Sequence, residues 1–501
     1  MSETQIINHW IDGNFQPSVS DRFGDVYNPA TGAVIAKLPM GTTDDLEMAI
    51  QASQQVFQSW SMTSITKRAQ VMFKFKELLE LHREELTNLI TLEHGKVITD
   101  AAGSLQRGIE VVEFACGIPH LLKGEYSEQV GTGVDCYNVR QPIGICAGVT
   151  PFNFPAMVPM WMFPIAIVCG NCFILKPSEK NPSCSMRLAE LLKEAGLPDG
   201  VMNVLHGDKE MVDAILEHSG ISTFSFVGST PVAEYVYTKA SSHHKRVQAL
   251  GGAKNHAIVM PDADLDEAVN AIIGAAYGSA GERCMAISAV VAVDEIADSL
   301  KEKLIAKIDK LKIGPGDDAS NDMGPLITQE HKNKVMHYIA DGVASGAELV
   351  IDGREHPRTN DHEGFFLGPT LFDKVSVDMK IYLEEIFGPV LVLIRIKNFA
   401  EALEMINDHR FGNGVAIFTS NGGVAREFAN KVQIGMVGIN VAIPVPLSFY
   451  SFGGWKDSIY GSSNIYGMDG VRFFTKLKTI TTRWPNIDES SPLDLSMPTV
   501  K

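Results

Sequence analysis

The sequence lacks the features of a membrane-bound or nucleic-acid-binding protein. Its longest apolar stretch, residues 156–169, is short and interrupted by proline, so it cannot span a bilayer. There are 43 lysine and arginine residues against 60 aspartate and glutamate residues, which gives a formal net charge of −17. No basic tract offsets this charge, and we therefore expect neither nucleic acid nor a membrane among the partners. A local basic pocket for an anionic cofactor remains compatible with it.

Cysteine is scarce and scattered, which argues against a disulfide framework and against a metal site. The chain has seven cysteines, an odd number. Cys169 and Cys172 have CxxC spacing, but no second pair completes a zinc site and there is no HExxH motif, so we expect no metal. The first residues resemble neither a secretory signal nor a transit peptide. We therefore expect a reduced, cytoplasmic protein.

The strand–turn–helix segments lack the usual GxGxxG dinucleotide fingerprint. The middle of the chain nevertheless alternates between strand and helix patterns. Helix-like runs separate five strand-like runs, at 143–149, 173–176, 201–205, 222–227 and 246–250. This order predicts a parallel, doubly wound α/β sheet, a common place for a dinucleotide. With 501 residues the chain is too long for one core. We expect a second α/β unit to begin after Leu250.

The regions that flank this alternation have a different character. Residues 43–122 are strongly helical, with apolar residues at helical spacing, whereas residues 123–141 are polar and alternate like an exposed β excursion. The stretch 476–484 is a β-branched strand without an obvious partner in its own unit. We expect this strand to pair with the 123–141 segment of another subunit.

Two motifs follow predicted strands of the first unit. In residues 150–155, Asn153 could donate its amide to a developing oxyanion, although a plain turn asparagine between prolines would look the same. In residues 174–180, Lys176 and Glu179 could meet the hydroxyls of a ribose. A carboxylate at that place disfavours a 2′-phosphate and favours NAD over NADP.

Three further features lie later in the chain. Ser229, in a strand–turn–helix pattern, could hold a phosphate together with the helix N-terminus. Gly251 and Gly252 form a glycine turn between the two α/β units. Cys284 ends a run of small residues and directly follows Arg283, whose charge favours a thiolate. Most free cysteines are inert core residues, so Cys284 is a candidate nucleophile only in combination with the other motifs.

Together these motifs resemble the aldehyde dehydrogenase superfamily. TPFNFP, LKPSEKNP, FVGSTPVA, LGGAKN, GERC, EEIFGPV and FGGWKDS occur in the order of that family between residues 150 and 458. The resemblance implies an aldehyde dehydrogenase-like α/β fold: two Rossmann-type parallel-sheet domains and a β oligomerisation arm. It implies an NAD-binding domain at 1–122 and 142–250, a catalytic domain at 251–462, and an arm and tail at 123–141 and 463–501. It also implies a homo-oligomer, most simply a tetramer.

The resemblance assigns roles to the motif residues. It implies that Cys284 is the nucleophile and that Asn153, with the Cys284 backbone N–H, forms the oxyanion hole. Glu385 and Phe387 would take the nicotinamide ribose and ring. The full set of implied NAD contacts is Thr150, Phe152, Lys176, Glu179, Lys180, Ser229, Gly251, Glu385 and Phe387.

Three positions set this sequence apart from hydrolytic members of the family. Ala249 stands before Leu-Gly-Gly, where those members carry the glutamate that activates water, so hydrolysis should be slow. The segments ERCMA and LGGAKNH resemble the CoA-acylating methylmalonate-semialdehyde branch of the family. In that branch Arg283 and Arg107 are expected to grip the substrate carboxylate, and a fork of two guanidiniums suits that task.

The resemblance therefore predicts NAD-dependent oxidative decarboxylation of methylmalonate or malonate semialdehyde, with coenzyme A as co-substrate. The small-molecule products would be propanoyl-CoA or acetyl-CoA, formed through a thioester on Cys284; valine and inositol breakdown both fit this branch. Two alternatives stay open. A hydrolytic NAD-dependent dehydrogenase of another semialdehyde is disfavoured by Ala249, and a non-catalytic protein with the same fold is disfavoured by the intact Cys284 and Asn153.

Overall fold

The computed structural model describes residues 5–360 and 363–484 as an α/β protein with two large sheets. The part of the predicted tail at 485–501 lies outside the described residues. The helices are α1 (Thr43–Met62), α2 (Ile65–Leu81), α3 (Arg83–His94), α4 (Ile98–Cys116), α5 (Ile118–Leu121), α6 (Met157–Val168), α7 (Ser183–Glu194), α8 (Lys209–Glu217), α9 (Thr230–Ser242), α10 (Leu265–Tyr277), α11 (Asp294–Ile308), α12 (Gln329–Ala344), α13 (Pro357–Asn360), α14 (Lys380–Leu383), α15 (Phe399–Asp408), α16 (Gly422–Lys431) and α17 (Gly467–Phe473). No helix in the described ranges is long and apolar enough to cross a membrane.

The strands are, in chain order, β1 (Gln5–Ile6), β2 (His9–Ile11), β3 (Asn14–Gln16), β4 (Phe23–Asn28), β5 (Ala33–Pro39), β6 (Tyr126–Gly131), β7 (Val134–Pro142), β8 (Ile145–Val149), β9 (Cys172–Lys176), β10 (Met202–Val204), β11 (Ile221–Val227), β12 (Arg246–Leu250), β13 (Asn255–Val259), β14 (Ile287–Val293), β15 (Glu348–Ile351), β16 (Thr370–Asp373), β17 (Val390–Ile396), β18 (Phe411–Gly412), β19 (Gly414–Phe418), β20 (Met436–Ile439), β21 (Trp455–Lys456), β22 (Ile459–Tyr460) and β23 (Thr475–Arg483).

The first large sheet has the order β22-β12-β11-β8-β9-β10-β2-β3. Its five central strands are parallel, and their residues are almost entirely buried, as expected where helices cover both faces. The chain runs outward from β8 through β9 to β10 and then returns to place β11 on the other side of β8. This reversal is a topological switch point, where ligands of open α/β sheets bind.

The second large sheet has the order β15-β16-β17-β14-β13-β19-β20, and all of its strands except β15 are parallel. The chain passes directly from the end of β12 in the first sheet to the start of β13 in the second through residues 251–254. As a result, the carboxyl ends of the first sheet's strands lie next to the amino ends of β13, β14 and β17. The candidate site is built at this junction.

The C-terminal strand pairs within its own chain, which corrects our expectation of a partner from another subunit. β23 runs antiparallel to β7, from Thr475 opposite Pro142 to Arg483 opposite Val134. The physical reason lies just before the strand. The Asn171 side chain donates to the Phe474 carbonyl and accepts from the Ile143 amide, so it joins the end of β7 to the start of β23. With β6, these strands form a three-stranded sheet, which we name the arm.

Candidate active site

A cavity with a volume of about 720 Å³ lies at the switch point of the first sheet. The loops after β8 and β11 form one wall, with Asn153 on the first and Ser229 on the second. Residues that precede strands of the second sheet form the opposite wall: Cys284 before β14, and Glu385 and Phe387 before β17. The cavity therefore joins loops from both sheets around one cysteine.

Most of the site residues predicted from the sequence come together here. Those that line the large cavity are Phe152, Asn153, Lys180, Ser229, Gly251, Cys284, Glu385 and Phe387. Thr150, Lys176 and Glu179 lie at the ends of β8 and β9 without lining the cavity itself. Lys176 and Glu179 form an ion pair of 2.9 Å, so ribose hydroxyls would meet groups that already contact each other.

The cavity wall fits a dinucleotide. Ser229 caps α9, but its side chain makes no cap hydrogen bond, so the amides of the first turn face a free position suited to a phosphate. The buried hydroxyl of Thr150 has no hydrogen-bond partner in the described chain. Lys180 lies 4.8 Å from the centre of the Phe152 ring and adds positive charge to the same wall. These features suit an anionic ligand with hydroxyl groups.

The glycine turn and the lysine after it position Glu385. A Cβ on Gly252 would lie 2.4 Å from Glu385 Oε2, so a side chain at 252 would displace the carboxylate. Glu385 Oε1 accepts a hydrogen bond from the Ala253 amide at 3.0 Å. Lys254 is buried and donates to the carbonyls of Ile381 (2.6 Å) and Glu384 (3.1 Å), which holds the segment that carries Glu385. The LGGAKN motif is thus the support of a carboxylate from the second sheet.

The Cys284 thiol is less acidic in this structure than its arginine neighbour led us to expect. Burial raises the pKa of Cys284 to about 12, and the Glu385 charge adds to this effect. The backbone amides of Cys284 and Met285 oppose the rise, and the charge of Arg283 opposes it less. Arg283 favours the thiolate, as expected, but its effect is small beside that of burial, because the guanidinium turns away to Asp100 and the Gly274 carbonyl.

The backbone before Cys284 is held in a strained, left-handed turn. Ser279 and Ala280 have φ angles of 55° and 51°, a region that costs non-glycine residues of order 1–3 kcal/mol each. Both residues are buried, and the Glu282 amide closes the turn onto the Ser279 carbonyl at 3.0 Å. After the cysteine, Asn255 and Asn413 donate to the Cys284 carbonyl at 2.8 and 3.1 Å. The candidate nucleophile Cys284 is therefore fixed from both sides.

A second cavity of about 330 Å³ meets the large one at Cys284, which lines both. Arg107 and Arg283 line this smaller cavity together with the apolar side chains of Phe154, Met157, Trp161, Ile443, Val445 and Phe452. The structure thus brings together the two arginines that the sequence resemblance paired, although they lie 176 positions apart in the chain. Two guanidiniums in a small apolar cavity beside a thiol suit a short aldehyde that carries a carboxylate.

Both arginines have protein partners in this structure. Arg107 donates to Glu110 at 2.6 Å and to the Pro446 carbonyl at 2.6 Å. Arg283 donates to Asp100 at 2.6 Å. A guanidinium has five N–H donors, so these contacts orient each group and leave donors for a ligand.

A buried lysine that the sequence reasoning missed links Asn153 to this cavity. Lys96 donates to the Asn153 carbonyl at 2.7 Å and lies 3.8 Å from Asp100. Burial lowers the pKa of Lys96 to about 8, although Asp100 opposes that shift. Lys96 lies between α3 and α4, while Asp100 lies on α4 and the cavity residues His331, Lys334 and Tyr338 lie on α12. The helical pattern predicts only an amphipathic face, so no sequence signal marked these residues.

The position of the missing water-activating glutamate is closed. Ala249 is fully buried in β12, where it pairs with Phe226 on one side and Tyr460 on the other. Among the described residues, no group of three or more His, Cys, Asp or Glu residues is arranged to hold a metal ion.

A sequence model of the aldehyde dehydrogenase family matches residues 15–480 of this chain. The chain belongs to the aldehyde dehydrogenase family. This aldehyde dehydrogenase is 55% identical to the malonate-semialdehyde dehydrogenase of Pseudomonas aeruginosa over 480 residues, which cover 96% of each chain. It is 51% identical to malonate-semialdehyde dehydrogenase 1 of Geobacillus thermodenitrificans, over 96% of this chain and 99% of that one.

Solved structures confirm the predicted fold class of this aldehyde dehydrogenase. The methylmalonate-semialdehyde dehydrogenase of Oceanimonas doudoroffii superposes with a TM-score of 0.95 at 55% identity, covering 96% of this chain and 99% of that one. A Sinorhizobium meliloti 1021 protein assigned as a methylmalonate-semialdehyde dehydrogenase, crystallised with NAD, has a TM-score of 0.96 at 51% identity and covers 98% and 100%.

Proposed function

We propose that this aldehyde dehydrogenase oxidises malonate or methylmalonate semialdehyde with NAD and passes the decarboxylated acyl group to coenzyme A. The observation that carries the proposal is the position of Cys284 between a large cavity and a small one that holds Arg107 and Arg283. The names of the relatives and the NAD in one of the solved structures support the same reading. The buried Ala249 favours a thiol over water as the final acceptor.

The first step uses the two cavities together. The substrate carboxylate binds Arg107 and Arg283, which brings its aldehyde carbon to Cys284. The thiol proton of Cys284 passes to solvent, the sulfur bonds to that carbon, and the C=O electron pair moves onto oxygen. The Asn153 amide and the Cys284 backbone N–H donate to this oxyanion, while Lys96 holds Asn153 through its carbonyl.

Oxidation then turns the tetrahedral adduct into a thioester. The oxyanion collapses to a carbonyl, and a hydride leaves the tetrahedral carbon. When bound, NAD supplies the acceptor for this hydride. Glu385 and Phe387 on the second-sheet wall, and Ser229 on the first-sheet wall, would hold the cofactor in the large cavity.

Decarboxylation and transfer follow on the same sulfur. The carboxylate lies β to the thioester carbonyl, so its C–C bond can break to release CO₂ while the electron pair forms an enolate on the thioester oxygen. The donors that held the earlier oxyanion also suit this one. After the enolate carbon takes a proton, the thiolate of coenzyme A attacks the carbonyl, and Cys284 leaves as the thiolate.

The experiment that tests the proposal compares NADH formation with and without coenzyme A. With malonate semialdehyde and NAD, we expect one burst of about one NADH per site and then a steady rate at least 50-fold below the rate with coenzyme A, because the thioester cannot turn over quickly. Acetyl-CoA should be identified by mass spectrometry. Fast steady NADH formation without coenzyme A would instead make the chain a hydrolytic dehydrogenase.

We also propose that the chain works as a homo-oligomer, most simply a tetramer, in the cytoplasm. The arm presents exposed apolar side chains such as Tyr126 and Leu477 on strands with open edges. All seven cysteines are free thiols, which suits a reducing compartment.

A further inference from the structure

The smaller cavity contains one acidic side chain among the described residues that line it, and that residue is Asp100. Asp100 lies on α4, about two turns before Arg107, and is nearly buried, with 16% of its side chain exposed. One carboxylate oxygen accepts from Arg283 Nη2 at 2.6 Å, and the other lies 3.8 Å from Lys96 Nζ. An acidic side chain in a cavity that is proposed to bind the substrate carboxylate requires a physical explanation.

Asp100 is ionised in the folded protein. Burial raises its pKa, but the charges of Lys96 and Arg283 and the hydrogen bond from Arg283 outweigh that effect, and the pKa lies below its ordinary value. In addition, the Asp100 oxygen that faces Lys96 is buried without a hydrogen bond, so it remains available as an acceptor. The site therefore keeps a negative charge where burial alone would remove it.

The charges of the cavity show what this carboxylate does. Arg107 and Arg283 bring two positive charges, and Asp100 reduces the total to one. The two charged groups that pair with these residues, Lys96 beside Asp100 and Glu110 beside Arg107, cancel each other. A cavity with one net positive charge is neutralised by a ligand with one carboxylate, whereas a dicarboxylate leaves an uncompensated buried charge.

Asp100 also fixes the direction of Arg283. The guanidinium lies against Gly278, where a Cβ would come within 2.6 Å of Nη1, and it donates to the Gly274 carbonyl at 3.2 Å. These contacts hold the guanidinium between the Gly274–Gly278 backbone and the Asp100 carboxylate. Asp100 thus lowers the net positive charge of the smaller cavity and also orients Arg283, the residue before Cys284.

We propose that Asp100 is a specificity-determining residue that holds Arg283 and limits the smaller cavity to ligands with a single carboxylate. The inference rests on the proposed function, since it takes the two arginines as the anchor of the substrate carboxylate. It explains how the site accepts a semialdehyde or its thioester, each with one carboxylate, and disfavours the dicarboxylate that hydrolysis of that thioester would yield.

The test measures inhibition constants of malonate, which has two carboxylates, and propanoate, which has one, against semialdehyde oxidation. In Asp100→Asn, which keeps the shape and an acceptor for Arg283, the preference for malonate over propanoate should rise at least about tenfold, because one more positive charge faces the dianion. Tighter malonate binding is a gain that damage to the fold cannot produce. Glu113→Gln, which removes an exposed acid on the same helix, should leave the ratio within about twofold.

Two outcomes separate this inference from the proposed function. If the parent enzyme prefers malonate semialdehyde over propanal but Asp100→Asn leaves the inhibitor ratio unchanged, the role of Asp100 is wrong. If the parent enzyme shows no preference for the carboxylated aldehyde, the proposed carboxylate anchor itself is wrong. Should Asp100→Asn not fold, Asp100→Ser retains a small acceptor and decides the question in the same assay.

Discussion

Cys284 gains its chemical setting from residues far away in the sequence. Asn255 and Asn413 hold its carbonyl, Asn153 faces it across the large cavity, and Arg107 reaches the smaller cavity from α4. The neighbour in sequence, Arg283, lowers the pKa of the thiol only slightly. Its main contribution is a positive charge in the smaller cavity. In the proposed function, two arginines therefore provide selectivity for the substrate and one thiol provides reactivity.

The residue that separates these two roles best by substitution is Arg107. In Arg107→Leu we expect kcat/KM for malonate semialdehyde to fall about 50-fold, since a charged hydrogen bond to the carboxylate contributes roughly 1.5–3 kcal/mol. With propanal, which has no carboxylate, the loss should stay within about threefold. Steady-state NADH absorbance with both aldehydes measures the two values.

Equal losses with both aldehydes would contradict the carboxylate role. That result would instead show that Arg107 acts only by holding the 445–446 segment, whose carbonyls it contacts at 3.3 and 2.6 Å.

At the scale of elements, the helical N-terminal region supports the cofactor sheet by contacts that periodicity does not reveal. Glu93 of α3 is buried and accepts a hydrogen bond from the Ser183 amide at 3.1 Å, which satisfies the N-terminus of α7. Burial raises the pKa of Glu93 to about 7, although the bonds from Ser183 oppose the rise. The folded protein thus holds a proton that the unfolded chain releases near pH 4.5.

This proton makes the stability pH-dependent in a defined direction. As pH rises from 4.5 to 7, the unfolded chain loses the Glu93 proton while the folded chain keeps it, so Glu93 becomes increasingly destabilising. Glu93→Gln has no such proton, and its unfolding free energy relative to the parent should rise by about 3 kcal/mol between pH 4.5 and pH 7.5. Urea denaturation followed by circular dichroism at both pH values measures the change.

The exposed Glu113→Gln provides the comparison for this experiment, because a surface substitution should show less than about 0.5 kcal/mol of such pH dependence. A pH-independent effect of Glu93→Gln would mean that Glu93 is ionised in the folded protein.

At the scale of the whole molecule, the arm is the part with least reason to exist in a monomer. It projects three antiparallel strands with two open edges and several exposed apolar side chains. Both cavities lie within one chain, so the arm is not needed to complete them. Its exposed apolar side chains support the proposed contact between copies of this chain.

A charge on the arm should therefore lower the assembly state. Leu477 is 55% exposed on β23, and Leu477→Asp should reduce the mass measured by light scattering to that of a smaller oligomer, while NAD binding by titration is retained. Lys476→Asp changes the charge at the adjacent, already charged position and serves as the control. An unchanged mass in Leu477→Asp would show that this face of the arm is not an interface.

Local patterns were enough to predict the alternation of strands and helices from β8 to β12 and the helices at 43–122. These elements have buried apolar faces with a regular period, and period is visible in sequence. The strand ends that carry Asn153 and Ser229 followed from the same reasoning. The Lys96–Asp100–Arg283 network did not, because it joins residues 183 positions apart through charges that each look like surface groups. The partner of β23 was missed because strand pairing is decided by where Asn171 anchors the chain.

The left-handed turn at Ser279 and Ala280 also limits how this enzyme could be made more heat-tolerant. Glycine at either position would relieve backbone strain of order 1 kcal/mol, an attractive change for an engineer. The greater backbone flexibility of glycine would also let the Cys284 thiol move from its position between the two cavities. A displacement of ~1 Å at a reacting atom can slow turnover about 100-fold. Folding stability and turnover rate thus place opposite demands on this turn. A thermostable variant would have to keep the turn rigid to remain active.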